Sequence, residues 1–258
     1  MTFVALRGPV EVVELYCVQC TQYPHGMEDC SFELLWGRRR RGSRGPAPGL
    51  SVERIAEAAI ALADSDGLDA LSMRRLARDL GVAPMGLYRY VPGKAELLDV
   101  MVETVIGEQA VAETGGWRER LAASARASRA LHERHPWLAP ATLARPPQGP
   151  NAVAAYERLL AAASSSGLRP AETVAAAGLI AGYGRAAAGP AEAAARTGRL
   201  WAERSAFWED HHESERFPAL TALCEAGAFD DPPDAFEFGL QRILDGIEAL
   251  LASGPPAR

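Results

Sequence analysis

Apolar positions recur along this chain at spacings of three and four, the period of helices with one buried face. The pattern is sharpest in the first half. Ser51 is a natural N-cap for a first helix whose Ile55, Ala58, Ala59 and Leu62 form an apolar stripe, and Asp66-Gly67 closes it. Ser72 caps a second helix in which Met73, Leu76, Ala77 and Leu80 mark the buried side, while Arg74, Arg75, Arg78 and Asp79 point outward. Gly81 falls one step past Leu80, where a helix exit needs positive φ, and Val82 can plug the corner. A third helix, from about Ala83 to Tyr90, buries Leu87 and leaves Pro84, Met85, Gly86, Tyr88 and Tyr90 as a surface of aromatics and small residues. Such a surface is poor core and good groove contact. Two short helices crossing at a tight turn are the geometry that sets a second helix against base edges in a DNA major groove. Gly93 and Lys94 then open a fourth helix, with Leu97, Leu98, Met101, Val105 and Ile106 inward. Lys94 lies where helix N-terminal amides and an ammonium can meet one phosphate.

The second half is also helical in period. Trp117 to His135 reads as a long amphipathic helix that Pro136 stops, and Pro140, Pro146, Pro147 and Pro150 break the next stretch into a short helix and a loop. Asn151 to Ser166 and Ala171 to Gly189 are alanine-rich helices. The few aromatics, Trp137, Tyr156, Tyr183, Trp201, Phe207, Trp208 and Phe217, are read mostly as core, with any that are not core lining a small-molecule pocket among the helices. After Pro232-Pro233, Asp234 and Glu237 form a capping box, and Phe236, Leu240, Ile243, Ile247 and Leu250 recur along a last helix between Gly239 and Gly246. This stripe suits either burial within its own domain or a symmetric dimer interface. The expected fold is all-α: three helices in a head, a connecting fourth, and five or six more in a C-terminal domain.

At residues 72 to 94, SMRRLARDLGVAPMGLYRYVPGK, the pattern becomes a specific resemblance. The run from Arg44 to about Gly107 resembles the DNA-binding domain of the tetracycline repressor (TetR) family of bacterial regulators. GLDALSMRRLARDLGV is similar to the family's first-helix exit and second helix, and GLYRYVPGKAELLD to its recognition helix, turn and fourth helix. The segment from Phe217 to Leu251, with FEFGLQRILDGIEALL, resembles the end of the family's tetracycline-repressor-like C-terminal domain. Residues 117 to 216 share only its general pattern, so no ligand-binding residue is assigned. The resemblance implies that Arg74 and the side chains of Pro84, Met85, Tyr88 and Tyr90 face DNA, with Arg74 reaching a guanine edge. Gly86 departs from the polar residue that many relatives carry there, which shifts base reading toward Met85 and thymine methyl groups. Because the family's dimers are built from their last helices, Phe236, Leu240, Ile243, Ile247 and Leu250 are taken as the dimer interface, with a partner helix around Glu172 to Gly189.

Charge sharpens the division. Of a net charge of −6, residues 37 to 100 carry +3 and the remainder −9, so the basic end is the DNA end. Residues 1–36 are read as an extension of doubtful role, of which the stretch before Met27 is taken to have no structural role, and residues 37–50 as a basic arm. The arm places five arginines among Gly and Pro in WGRRRRGSRGPAPG, and Arg44, nearest the head, is its best candidate for a minor-groove contact. Residues 51–110 then form the head, 117–252 the ligand-binding and dimerisation domain, and 253–258 a tail.

Cys17, Cys20, His25 and Cys30 have the spacing of a zinc knuckle, and three thiolates with one imidazole could close a tetrahedral site. The run lacks the glycines that let a chain wrap the metal, and Met27 is a plausible alternative start, so no metal site is assigned. His211, His212 and Glu215 sit in the very polar WEDHHESER and are read as a solvated helix end. Cys224, at an apolar position, is read as plain core. No window of 18 apolar residues and no signal peptide are present, which implies a cytoplasmic protein. Nucleophile-elbow, phosphate-loop and zinc-protease motifs are lacking, so neither catalysis nor a cofactor is expected. The resulting expectation is a homodimeric repressor of a palindromic double-stranded operator, released when a small, uncharged, largely apolar molecule binds. A helical sensor or adaptor acting through a protein partner is the alternative.

Overall fold

The computed structural model describes residues 28–37, 50–110, 114–186, 200, 203–204, 215–230 and 233–253. Among them every regular element is helical. Helix α1 spans Glu28–Trp36 and α2 spans Val52–Asp66. A 3₁₀ turn at Leu68–Ala70 leads to α3, Met73–Asp79, and α4, Pro84–Leu87, and α5 follows at Lys94–Ile106. The C-terminal half holds α6 (Trp117–Arg134), α7 (Leu138–Ala144), α8 (Pro150–Ser164), α9 (Pro170–Ala186), α10 (Pro218–Glu225) and α11 (Ala235–Ala252).

The local signals act where the chemistry predicts. Ser51 accepts the Arg54 amide at 3.2 Å and Ser72 the Arg75 amide at 3.2 Å, each satisfying an amide that the first helical turn leaves open. Asp234 caps α11 through the amides of Phe236, 2.8 Å, and Glu237, 3.3 Å. Three expectations change. The third helix is a single turn, Pro84–Leu87, instead of reaching Tyr90, although the Val91 amide still donates to the Leu87 carbonyl at 2.9 Å. Pro92 disfavours helical backbone at Val91, so the helix cannot run on. Cys224 is exposed on α10, none of whose residues is buried. Phe217 is partly exposed, and Tyr156 and Tyr183 are only half-buried, whereas Trp137 is core. The extension of doubtful role includes α1, which packs on α5.

Two cores organise the chain. The first joins Ile55, Leu71, Leu76, Leu87, Leu97 and Met101 of the head with Leu131, Trp137, Leu138 and Ala141, so α7 packs with the head although it lies in the C-terminal half of the sequence. The second joins Leu121 and Ala125 of α6 with Ala162 and Ala163 of α8, Ala177 and Ile180 of α9, and Phe236, Leu240 and Leu244 of α11. Helix α6 contributes to both. Gly184 allows the close approach of α9 to α6, since a Cβ there would press on Ser128 and the Ala125 carbonyl.

Candidate nucleic-acid interface

The corner between α3 and α4 is built by three residues. Gly81 takes φ 70°, the Gly81 amide donates to the Arg78 carbonyl at 3.1 Å, and the Val82 amide donates to the Ala77 carbonyl at 2.9 Å. This paired closure ends α3 with its last carbonyls satisfied. Pro84 then starts α4 with φ preset and no amide to leave open. Leu76, Leu87 and Val91 are fully buried and fix the crossing from beneath.

What remains outside is the surface that the sequence singles out. Met85 is 74% exposed, Tyr88 44% and Tyr90 37%, an unusual concentration of large apolar groups in water on one small head. Pro84 and Arg74 are exposed beside them. A Cβ at Gly86 would meet nothing within 4 Å, so the face is open where a groove wall would come. The arginines of α3 divide by partner. Arg75 pairs with Asp66, holding that carboxyl below the usual carboxylate range, and Arg78 lies 3.4 Å from Asp79. No described ion pair ties Arg74. Lys94 is exposed at the start of α5, with Nζ 3.4 Å from the Leu68 carbonyl, a long and replaceable bond. Arg44, Cys17, Cys20, His25, His211 and His212 lie outside the described residues, as does the side chain of Cys30, and Glu215 is exposed. Among the described residues no three His, Cys, Asp or Glu side chains are grouped to hold a metal.

Three contacts that sequence reading does not find join the head to the body. Trp137 Nε1 donates to Asp64 at 2.6 Å, and His135 Nδ1 lies 2.8 Å from the same oxygen. Glu103 of α5 is buried, and its carboxylate accepts the Asn151 and Ala152 amides in the first turn of α8. Burial pushes the Glu103 carboxyl up, while those amides pull it down. A Cβ on Gly149 would overlap that carboxylate, so a larger residue there would displace it from the two amides. The available signal was Glu103 itself, an acid on the apolar side of α5.

The dimer stripe needs correction. Phe236, Leu240 and Ile247 are buried within the chain, where Tyr183 stacks on Phe236 at 5.3 Å, and Ile243 is half-buried. They face α6 and α9 because burial in the chain's own core satisfies the stripe first. Of the assigned set only Leu250 is exposed, beside Ala249 and Gly246, with Phe238 56% exposed nearer the start of α11. Val174 and Leu179 of α9 are likewise exposed. Gly239 serves the inner packing, where a Cβ would overlap the Tyr183 hydroxyl. Between α8 and α9 lies an open groove of 440 Å³ lined by Leu160, Ala161, Leu168, Pro170, Val174 and Glu157 among others.

A sharp two-helix corner with an exposed apolar and basic tip, mounted on a helical body, defines a helix-turn-helix regulator. The chain belongs to the TetR family: the family described as "Bacterial regulatory proteins, tetR family" matches residues 49–101, and "Tetracyclin repressor-like, C-terminal domain" matches residues 111–251. Among individual proteins, it is 44% identical over 233 residues to the HTH-type transcriptional repressor DrrR1 of Streptomyces coeruleorubidus, covering 86% of each chain. It is similar to the Streptomyces coelicolor TetR-family protein ActR in complex with actinorhodin, with TM-score 0.69, 31% identity, and 82% and 100% of the two chains covered. BioQ with its double-stranded DNA operator matches at TM-score 0.53 and 25% identity, over 78% of this chain and 99% of that one. The matches point to a family of transcriptional regulators. No described helix is long and apolar enough to cross a membrane.

Proposed function

We propose that this chain is a dimeric transcriptional repressor that holds a palindromic operator through its two heads and leaves it when a small, uncharged, largely apolar compound binds the C-terminal domain. The observation that carries the reading is the exposed set Arg74, Pro84, Met85, Tyr88 and Tyr90 above the buried Leu76 and Leu87. Arg74 offers two donors for a guanine edge, Met85 and Pro84 offer apolar contact to thymine methyls, and the tyrosine hydroxyls and Lys94 suit phosphates. Arg44 in the basic arm is assigned to the minor groove. The structure of BioQ with its operator supports the DNA partner, and that of ActR with actinorhodin supports a small-molecule partner. The alanine-rich second core and the absence of lysine from residues 117–252 suit an uncharged compound. The body acts in the bacterial cytoplasm, where the operator is.

Fragments selected from the genomic DNA should bind in gel shifts, and Gly86→Arg should abolish binding, because the open space above Gly86 lets the arginine fold normally but blocks groove approach. Equal binding by wild type and Gly86→Arg would favour the adaptor reading. Uncharged, largely apolar polycyclic compounds are the first to titrate against the preformed complex. A coupling of about 1 to 3 kcal/mol would lower operator affinity about 5- to 150-fold.

For the dimer we assign the outward faces of α9 and α11, with Leu179, Phe238 and Leu250 in place of the buried stripe. Leu179→Glu with Phe238→Glu should give monomers on a sizing column, whereas Leu240→Glu should unfold the body. Dimers that survive the outward pair would place the interface elsewhere.

A further inference from the structure

Helix α1 lies outside both family matches, which begin at residue 49, and it makes specific contacts at the seam between the two cores. Ser31 is 8% exposed, and its hydroxyl donates to Asp99 of α5 at 2.6 Å. Asp99 also receives Arg145, from the end of α7, through two bonds of 2.8 and 2.6 Å. Five residues further along α1, Trp36 Nε1 donates to the Gln148 carbonyl at 2.7 Å, two residues before α8 begins at Pro150. Leu34, between them, packs against the first core. One short helix therefore grips the helix that carries the head and the segment that leads into α8, and Glu103 closes the same seam one turn further along α5.

We propose that α1 is a brace, and that Ser31 and Trp36 are positioning residues for operator binding: they fix the angle of each head relative to the dimeric body, and so the spacing between the two heads. They touch no DNA. Their effect appears only where both heads must engage at once, because a dimer reading a palindrome has to present its heads about one turn of DNA apart. This inference rests on the dimeric repressor reading above.

The test uses the full chain with Ser31→Ala, Trp36→Phe and the double variant, on two DNAs: a genomically selected palindrome and the same fragment with one half-site scrambled. Each substitution removes one donor and keeps the side-chain body, so α1 can still pack. The double variant should bind the palindrome about 5-fold or more weaker, a loss in keeping with two hydrogen bonds, while half-site affinity stays within about 2-fold of wild type. Unchanged affinity for both DNAs would make α1 a passenger, and a parallel fall on both would make it a general support of the fold. Either result overturns the brace. Wild type binding both DNAs equally would instead overturn the dimeric reading first, and the brace with it.

Discussion

The head and the body solve the packing problem with different side chains. The first core interlocks Ile55, Leu71, Leu76, Leu87, Leu97, Met101 and Trp137, so its helices are held by large side chains that fill space in few ways. In the second core much of the contact between α6, α8 and α9 is alanine on alanine, with Ala125, Ala162, Ala163, Ala176 and Ala177 all buried. Helices packed through small side chains approach closely, and each contact between them gives up little energy when they slide. The two cores divide the labour. A reading surface has to keep one shape against DNA, and a sensor has to keep several packings close in energy.

The head core should be the more costly to damage. Leu76→Ala should cost about 2 to 5 kcal/mol of stability through the cavity it leaves. Ala177→Gly, equally buried in the body, should cost about 0.5 to 1 kcal/mol. Thermal unfolding of both variants checks this, and a loss for Ala177→Gly as large as that for Leu76→Ala would show that the alanine contacts of the second core hold the body as tightly as large side chains hold the head.

Next comes the seam. Glu103→Ala leaves the Asn151 and Ala152 amides without their acceptor, which should cost about 1 to 3 kcal/mol. Hydrogen exchange should quicken in the first turn of α8 and not in α3. Uniform quickening would mean that Glu103 supports the whole fold and not the seam.

Within the head, Arg74→Ala should weaken specific binding by about 1 to 3 kcal/mol and relax preference at one base pair, while Lys94→Ala should weaken all sequences alike and lower the salt slope by about 1. Equal losses on specific and random DNA for Arg74→Ala would reverse those roles.

The smallest effect is a pair of opposite pH slopes. Burial raises the Glu103 pKa, so its contribution to stability is fully present below the ordinary carboxylate range and is lost as pH rises through the raised value. Glu103→Gln should therefore gain on wild type as pH rises through that window. His132 lies on α6 between the two cores, and burial lowers its pKa, with the Ser128 carbonyl opposing. Its contribution is present above the ordinary histidine range and is lost as pH falls toward the lowered value. His132→Gln should gain on wild type as pH falls below about 6.5. Melting curves from pH 4 to 8 would expose a slope of the wrong sign.

Period and punctuation along the chain determined most of the helices from Val52 to Ile106, the α3–α4 corner and the face above it. Each depends on neighbours within a few residues: Ser51 and Ser72 at caps, Gly81 at positive φ, Leu76 and Leu87 on one side with Met85 and Tyr88 on the other. Tertiary structure alone decided what each apolar stripe meets. Phe236, Leu240 and Ile247 have the same spacing whether they face a partner or their own body, and only the placement of Tyr183 and α6 shows that they face inward. Helix α7 reads as part of the second domain by its place in the chain, yet Trp137 carries it to the head through Asp64, 73 residues away. Helix α1 offers no motif, and its role rests on Asp99 and Gln148, groups that approach Ser31 and Trp36 only after folding. Spacing along a chain encodes which side of a helix is buried. The identity of the surface that covers it depends on long-range packing, which local sequence does not encode.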